Sequence, residues 1–141
     1  MSARYFLDTN VFVYAFDRKT PAKAKRAMEL IRRAVESGRG IVSYQVVQEF
    51  VNVALRRFEQ PLSAAEAEPY LLLVFKPLLA VESSPQFYLE ALRVFERHRL
   101  GWHDSLIVAS AIAGGCTILY TEDLQTERQV EGVRIQNPFA G

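Results

Sequence analysis

The sequence predicts an α/β fold, a three-layer α/β/α arrangement in which helices cover both faces of a central, mostly parallel sheet of four to five strands. Two observations carry this prediction. Short apolar runs (Tyr5 to Leu7, Gly40 to Val42, Leu78 to Val81 and Cys116 to Tyr120) alternate with longer segments whose apolar residues recur every three or four positions, and strands joined by helical crossovers lie parallel to one another. The chain has 141 residues, half of them hydrophobic. That suffices for one core of ordinary size, so a single domain over residues 1–141 is expected.

Tyr5 to Leu7 reads as a buried strand that ends at Asp8, with Thr9 and Asn10 opening a loop or helix. Thr20 and Pro21 start a helix whose inner residues are Ala24, Ala27, Met28, Ile31 and Val35, and Gly38 stops it. After the short strand Gly40 to Val42, Ser43 is placed to cap a helix with the apolar stripe Val47, Phe50, Val51, Ala54, Leu55 and Phe58. Glu49 lies off that stripe, on a polar line with Gln45, Asn52 and Arg56. A helix over Ala64 to Phe75 breaks at Pro77 before the third strand. Ser84 and Pro85 start the next helix, with Phe87, Tyr88, Ala91, Leu92 and Phe95 facing inward. Gly101 separates it from a helix over Trp102 to Ala113, which holds Asp104 in its first turn, where the helix dipole favours an acid. Cys116 to Tyr120 runs into Thr121, Glu122 and Asp123, and Val133 to Ile135 adds an edge strand.

Composition excludes several classes. The apolar runs are far shorter than the roughly 20 residues of a membrane helix, and Met1 to Asp8 has no signal-like segment, so a cytoplasmic protein with no membrane span is expected. One cysteine, Cys116, excludes an internal disulfide and reads as a buried, inert thiol. The net charge is +1, yet Arg18 to Arg39 holds eight basic and two acidic residues, 8 − 2 = +6. This segment is a candidate phosphate-facing surface, with Lys23, Arg26 and Arg33 as RNA contacts, or else a solvated helix face.

In open parallel sheets ligands gather beyond the carboxyl ends of the strands. Asp8 and Asp123 follow strands and Glu49 and Asp104 lie early in helices, so all four can converge on one edge. Carboxylates about 4 Å apart repel by roughly 4 kcal/mol at an effective dielectric near 20, so a cluster of them implies a cation. Magnesium suits oxygen ligands and retained waters, and it can activate water for phosphodiester hydrolysis. Asn10 and Thr121 stand where they could orient ligands or waters. Each acid taken singly also reads as a helix cap, a surface charge or half of an ion pair.

The run Phe6-Leu7-Asp8-Thr9-Asn10-Val11, the step Gln48-Glu49-Phe50, the segment Trp102-His103-Asp104-Ser105-Leu106-Ile107, and Thr121-Glu122-Asp123-Leu124 closing on Asn137-Pro138-Phe139 resemble the PIN-domain family, specifically its VapC-type toxins. The order and spacing of these motifs span nearly the whole chain. The resemblance implies a PIN fold, endoribonuclease activity dependent on magnesium or manganese, RNA as substrate, a VapB-like antitoxin as partner, and a homodimer. By position, Asp8, Glu49, Asp104 and Asp123 match the acidic quartet, with Asn10 and Thr121 as the polar residues beside it. Glu122 is the alternative fourth acid, and Thr126 to Gln129 lacks a glycine expected of close relatives.

His98 and His103 are not at a usual metal-ligand spacing, and both read as surface or site-adjacent residues. Two rival functions follow from the same residues. One is a phosphatase similar to haloacid dehalogenases with Asp8 as nucleophile, which would need an acid where Asn10 stands; the other is a non-catalytic RNA-binding or interaction module. No base-reading aromatic platform is visible in the sequence.

Overall fold

The computed structural model describes residues 3–140, so the expected domain limits extend slightly beyond them. The chain alternates as expected. β1 (Arg4–Leu7) is followed by a short helix α1 (Thr9–Tyr14), α2 (Pro21–Ser37), β2 (Gly40–Ser43) and α3 (Tyr44–Arg56). Next come α4 (Ala64–Tyr70), a π-helical turn over Leu71–Phe75, the single turn α5 (Lys76–Leu78) and β3 (Leu79–Val81). The chain then forms α6 (Pro85–His98), α7 (Trp102–Ala113), β4 (Cys116–Tyr120), β5 (Gln129–Val130) and β6 (Val133–Gln136).

The strands form one sheet of six in the order β3-β2-β1-β4-β6-β5. All pairings are parallel except β5 with β6. The chain builds outward from β1 through β2 to β3, then returns to lay β4 on the other side of β1. The strand order therefore reverses between β1 and β4, where an open α/β sheet leaves a crevice for ligands.

The sheet has one strand more than expected, and Val133 to Ile135 is not at its edge. Glu131 and Gly132, with φ of 50° and 87°, make a two-residue hairpin turn of the kind that suits strand twist. It folds Gln129 and Val130 back outside β6 as a short antiparallel border.

Several local expectations are also corrected. Ser43 makes no capping bond to α3, and its buried Oγ has no partner. Pro77 does not break the helix before it but sits inside its last turn, after a π-helical stretch in which the Lys76 N–H reaches the Leu71 carbonyl. Met28 is exposed while Leu30 and Ala34 are buried, which rotates the inner face of α2. Leu55 is likewise exposed. On α6 only Ala91 and Val94 are fully buried, and Tyr88, Leu92 and Phe95 are open. This helix packs chiefly on α7, so a narrow stripe of small side chains makes the contact and the larger ones are left at its borders.

The core runs through both layers as a contiguous cluster that includes Phe6, Leu7, Val11, Val42, Leu119 and Ile135. Phe50 of α3 is the hub of its aromatic part, packing against Phe12, Phe16, Phe58, Tyr70 and Phe75 at centroid distances of 5.2 to 6.4 Å. Phe50 anchors the helix turn that carries Glu49. Cys116 is buried as expected, and burial pushes its thiol up to about 12. No helix of the described residues is long and apolar enough to cross a membrane.

Candidate active site

Asp8 is the centre of the site. It caps α1, its Oδ1 accepting the Thr9 N–H at 2.7 Å, and its own N–H donates to the Tyr120 carbonyl at 3.0 Å. A cap at the end of a central strand has little water around it, and Asp8 is only 5% exposed. Its Oδ2 accepts the Thr121 hydroxyl at 2.8 Å. Burial pushes its pKa up to about 7, against the pull of the Thr121 and Thr9 hydrogen bonds, and the charges of Asp123 and Glu49 add to the rise. Among the described residues no lysine, arginine or histidine forms an ion pair with Asp8, Glu49, Asp104 or Asp123.

The other acids come from three separate elements. Glu49 is held at both oxygens, by the Thr9 hydroxyl at 3.0 Å and the Gln45 amide at 3.0 Å. Asp104, half-buried in the first turn of α7, is shifted upward by burial, then by the charges of Asp123 and Glu49, with His103 opposing. Asp123 is exposed, and its N–H donates to Thr121 Oγ1 at 3.1 Å. Asn10 turns its amide toward that hydroxyl at 3.5 Å and leaves Oδ1 buried without a donor. Asp8 and Asp104 thus each lie in the field of Asp123 and Glu49. Among the described residues, however, no three His, Cys, Asp or Glu side chains are spaced to hold an ion outright.

Glu122 points elsewhere. Its carboxylate accepts the Tyr14 hydroxyl at 2.6 Å and pairs with Lys23 at 2.8 Å. Partial burial pushes it up, but these two partners outweigh that and leave it below the usual range. Lys23 also lies over the rings of Tyr14 and Phe139. Of the basic residues expected to face phosphate, Lys23 is therefore engaged, Arg26 donates to the Pro138 carbonyl at 3.3 Å, and Arg33 is exposed. His98 pairs with Glu131 at 2.7 Å and with none of the four acids, while His103 lines a pocket beside Glu49.

The sequence pattern does not mark Thr9, Tyr14 and Gln45 as supports of the acidic side chains. Gln45 lies on the polar line of Glu49, one helical turn away. Thr9 and Tyr14 carry a weaker signal, their place in the first turns after Asp8.

Comparison with known proteins bears on the fold directly. The PIN-domain family model matches residues 5–131. A chain of a toxin–antitoxin complex from Klebsiella pneumoniae is similar at 18% identity and a TM-score of 0.66, with 98% of each chain covered. A chain of VapBC2 from Rickettsia felis, solved with a DNA fragment from its promoter, is similar at 18% identity and a TM-score of 0.64, covering 94% of this chain and 97% of that one. FitAcB from Neisseria gonorrhoeae contains a chain similar at 20% identity and a TM-score of 0.62, covering 96% and 98%. No curated protein sequence matches the chain.

Proposed function

We propose a function on a firm premise, that this chain belongs to the PIN-domain family: it is a divalent-metal-dependent endoribonuclease of VapC type, the toxin of a toxin–antitoxin pair. The observation that carries this reading is Asp8, a buried carboxylate at the point where strand order reverses, which shares a field with Glu49 and Asp123 and has no cationic partner among the described residues. A buried, uncompensated acid is costly. A bound cation would remove that cost and draw Asp8 into its charged form.

The donor set suits magnesium, or manganese, because every candidate ligand is a carboxylate or amide oxygen. Since among the described residues no three acids are spaced to ligate at once, the fit is to a hydrated ion, held directly by one or two of Asp8, Glu49, Asp104 and Asp123 and by the others through water. The unpartnered Asn10 Oδ1 supports the same reading, being a buried acceptor open to a metal-bound water. When bound, the ion would supply an activated water and neutralise charge on the scissile phosphate. The chain's own residues do the holding: Thr121 and Thr9 keep both Asp8 oxygens in place, and Thr9 and Gln45 fix Glu49.

The neighbours described as toxin–antitoxin complexes support a VapB-like antitoxin as partner. A groove of about 460 Å³ lined by Phe16, Met28, Tyr70 and Leu73 supplies apolar surface for it. The open side chains Leu89, Leu92 and Phe95 on α6 suit a homodimer.

The deciding experiment is cleavage of labelled RNA with magnesium and with chelator, by wild type and Asp8→Asn. Magnesium-dependent cutting by the wild type alone is expected. Equal cutting by both proteins would refute the assignment. A covalent phosphoaspartate would favour a phosphatase, and RNA binding without turnover a passive module.

A further inference from the structure

We propose that the pocket beside Glu49, beyond the ends of β2 and β3, is a nucleobase-binding subsite that prefers bases carrying an amino group over uracil. The proposal rests on the ribonuclease reading and names how that site would select its substrate. The pocket has a volume of about 160 Å³, and Glu49 and His103 on its wall make it continuous with the acidic site.

Two of its buried polar atoms have no partner among the described residues, while Glu49 accepts from Thr9 and Gln45 and Glu82 accepts the Tyr44 hydroxyl at 3.4 Å. Ser43 is 3% exposed, and its Oγ has no hydrogen-bond partner; Gln45 gives its amide N–H to Glu49 and leaves Oε1 buried and unpaired. Both residues line the pocket, together with the exposed carboxylate of Glu82. Buried polar atoms without partners are uncommon in folded proteins, and here they gather around one space. The wall is rich in acceptors, because Gln45 Oε1 and the carboxylates of Glu82 and Glu49 can only receive hydrogen bonds. Two carboxylates repel a phosphate. They suit a neutral group that donates, which the amino-bearing edges of adenine, cytosine and guanine do and uracil, lacking an amino group, does less well.

The remaining wall is aromatic. Phe87 and Tyr88, at the start of α6, both line the pocket, with ring centroids 5.8 Å apart. Tyr88 is 42% exposed, open to a ligand rather than spent on the core. Specific recognition of single-stranded RNA combines stacking on such rings with hydrogen bonds to base edges. The fold thus assembles an aromatic surface next to the acids from a segment that the linear sequence assigned to core packing.

The test is fluorescence anisotropy of end-labelled single-stranded oligo(A), oligo(C) and oligo(U) of equal length with the full chain in calcium, alongside cleavage-site mapping on a mixed RNA in magnesium. Oligo(A) and oligo(C) should bind about tenfold tighter than oligo(U). Glu82→Gln, at an exposed position, should shrink that gap to about threefold or less without weakening oligo(U), and Tyr88→Ala should weaken all three by about fivefold or more. Mapped cuts should lie next to amino-bearing bases, and Glu82→Gln should relax that preference. Equal binding of all three oligomers, or a gap that Glu82→Gln leaves intact, would mean a water-filled cavity and overturn the subsite. Metal-dependent cleavage without base preference would overturn the subsite and leave the nuclease standing. Glu82-dependent binding without cleavage would do the reverse.

Discussion

The Thr121 hydroxyl donates a 2.8 Å hydrogen bond to Asp8 Oδ2, tying two residues 113 positions apart across the junction of β4 and β1. Thr121 Oγ1 in turn accepts the Asp123 N–H at 3.1 Å and faces the Asn10 amide at 3.5 Å. One donor and two acceptor positions are thereby used, the full capacity of a hydroxyl. Thr121 is fully buried, so its bonds have no competition from water.

Thr121→Val keeps the shape and removes these bonds. It should cost about 1 to 3 kcal/mol in urea unfolding, because Asp8 Oδ2 and the Asp123 N–H lose their partner in a dry site. Since the Thr121 bond holds the Asp8 pKa down, the variant should also need a higher pH to bind magnesium. Thr121→Ser should restore both properties. A valine variant as stable as wild type would show that the bond contributes nothing.

Asp8 makes stability depend on pH in a defined direction. Its pKa rises from 3.8 to about 7 on folding, so between these values the folded state keeps a proton that the unfolded state has released, and stability falls as pH rises. At 1.36 kcal/mol per unit the loss reaches about 4 kcal/mol above pH 7. In chelator, Asp8→Asn should match wild type near pH 4 and melt several degrees higher at pH 8. Magnesium should narrow the difference by stabilising only the wild type. Melting curves that stay parallel across this range would contradict titration of Asp8.

Lys23 separates two roles by kinetics. If its main task is to hold Glu122, next to Asp123, then Lys23→Met should lower kcat about tenfold to a hundredfold through misplacement of that acid, with the urea midpoint little changed, as for a solvent-screened pair. A phosphate contact would instead raise KM and leave kcat alone. Steady-state cleavage of a short RNA distinguishes the two.

Glu127 occupies the left-handed region, at φ of 67°, within the stretch where a glycine was expected. That conformation costs a non-glycine residue roughly 1 to 2 kcal/mol, partly offset by the greater freedom of glycine in the unfolded chain. Glu127→Gly should therefore stabilise the protein by about 0.5 kcal/mol in chemical denaturation. A clear loss of stability would point to a structural role for the Glu127 side chain.

Much of the candidate site could be read from local pattern. Asp8 was legible because an apolar strand that stops at an acid leaves that acid at a strand end, and Asp104 because a glycine precedes the helix turn that carries it. The faces of α2 and α6 were less legible. Periodicity marks an apolar stripe but not the angle at which a neighbouring helix meets it, so Met28, Tyr88 and Leu92 were assigned inward and lie open. The hairpin of β5 and β6 was missed because its strands are short and one of its two turn residues is a glutamate.

Sequence by itself determined the alternation of strands and helices and with it the parallel sheet, and it marked the four acids as candidates, because strand and helix patterns depend on side chains within a few positions of one another. Only the tertiary structure decided which of those acids stand alone. Lys23 and Tyr14 take Glu122, Thr9 and Gln45 take Glu49, and Asp8 is left buried beside Thr121 with no cationic partner among the described residues. Burial and charge pairing depend on groups as far as 113 residues apart, and no local pattern records which of them will meet.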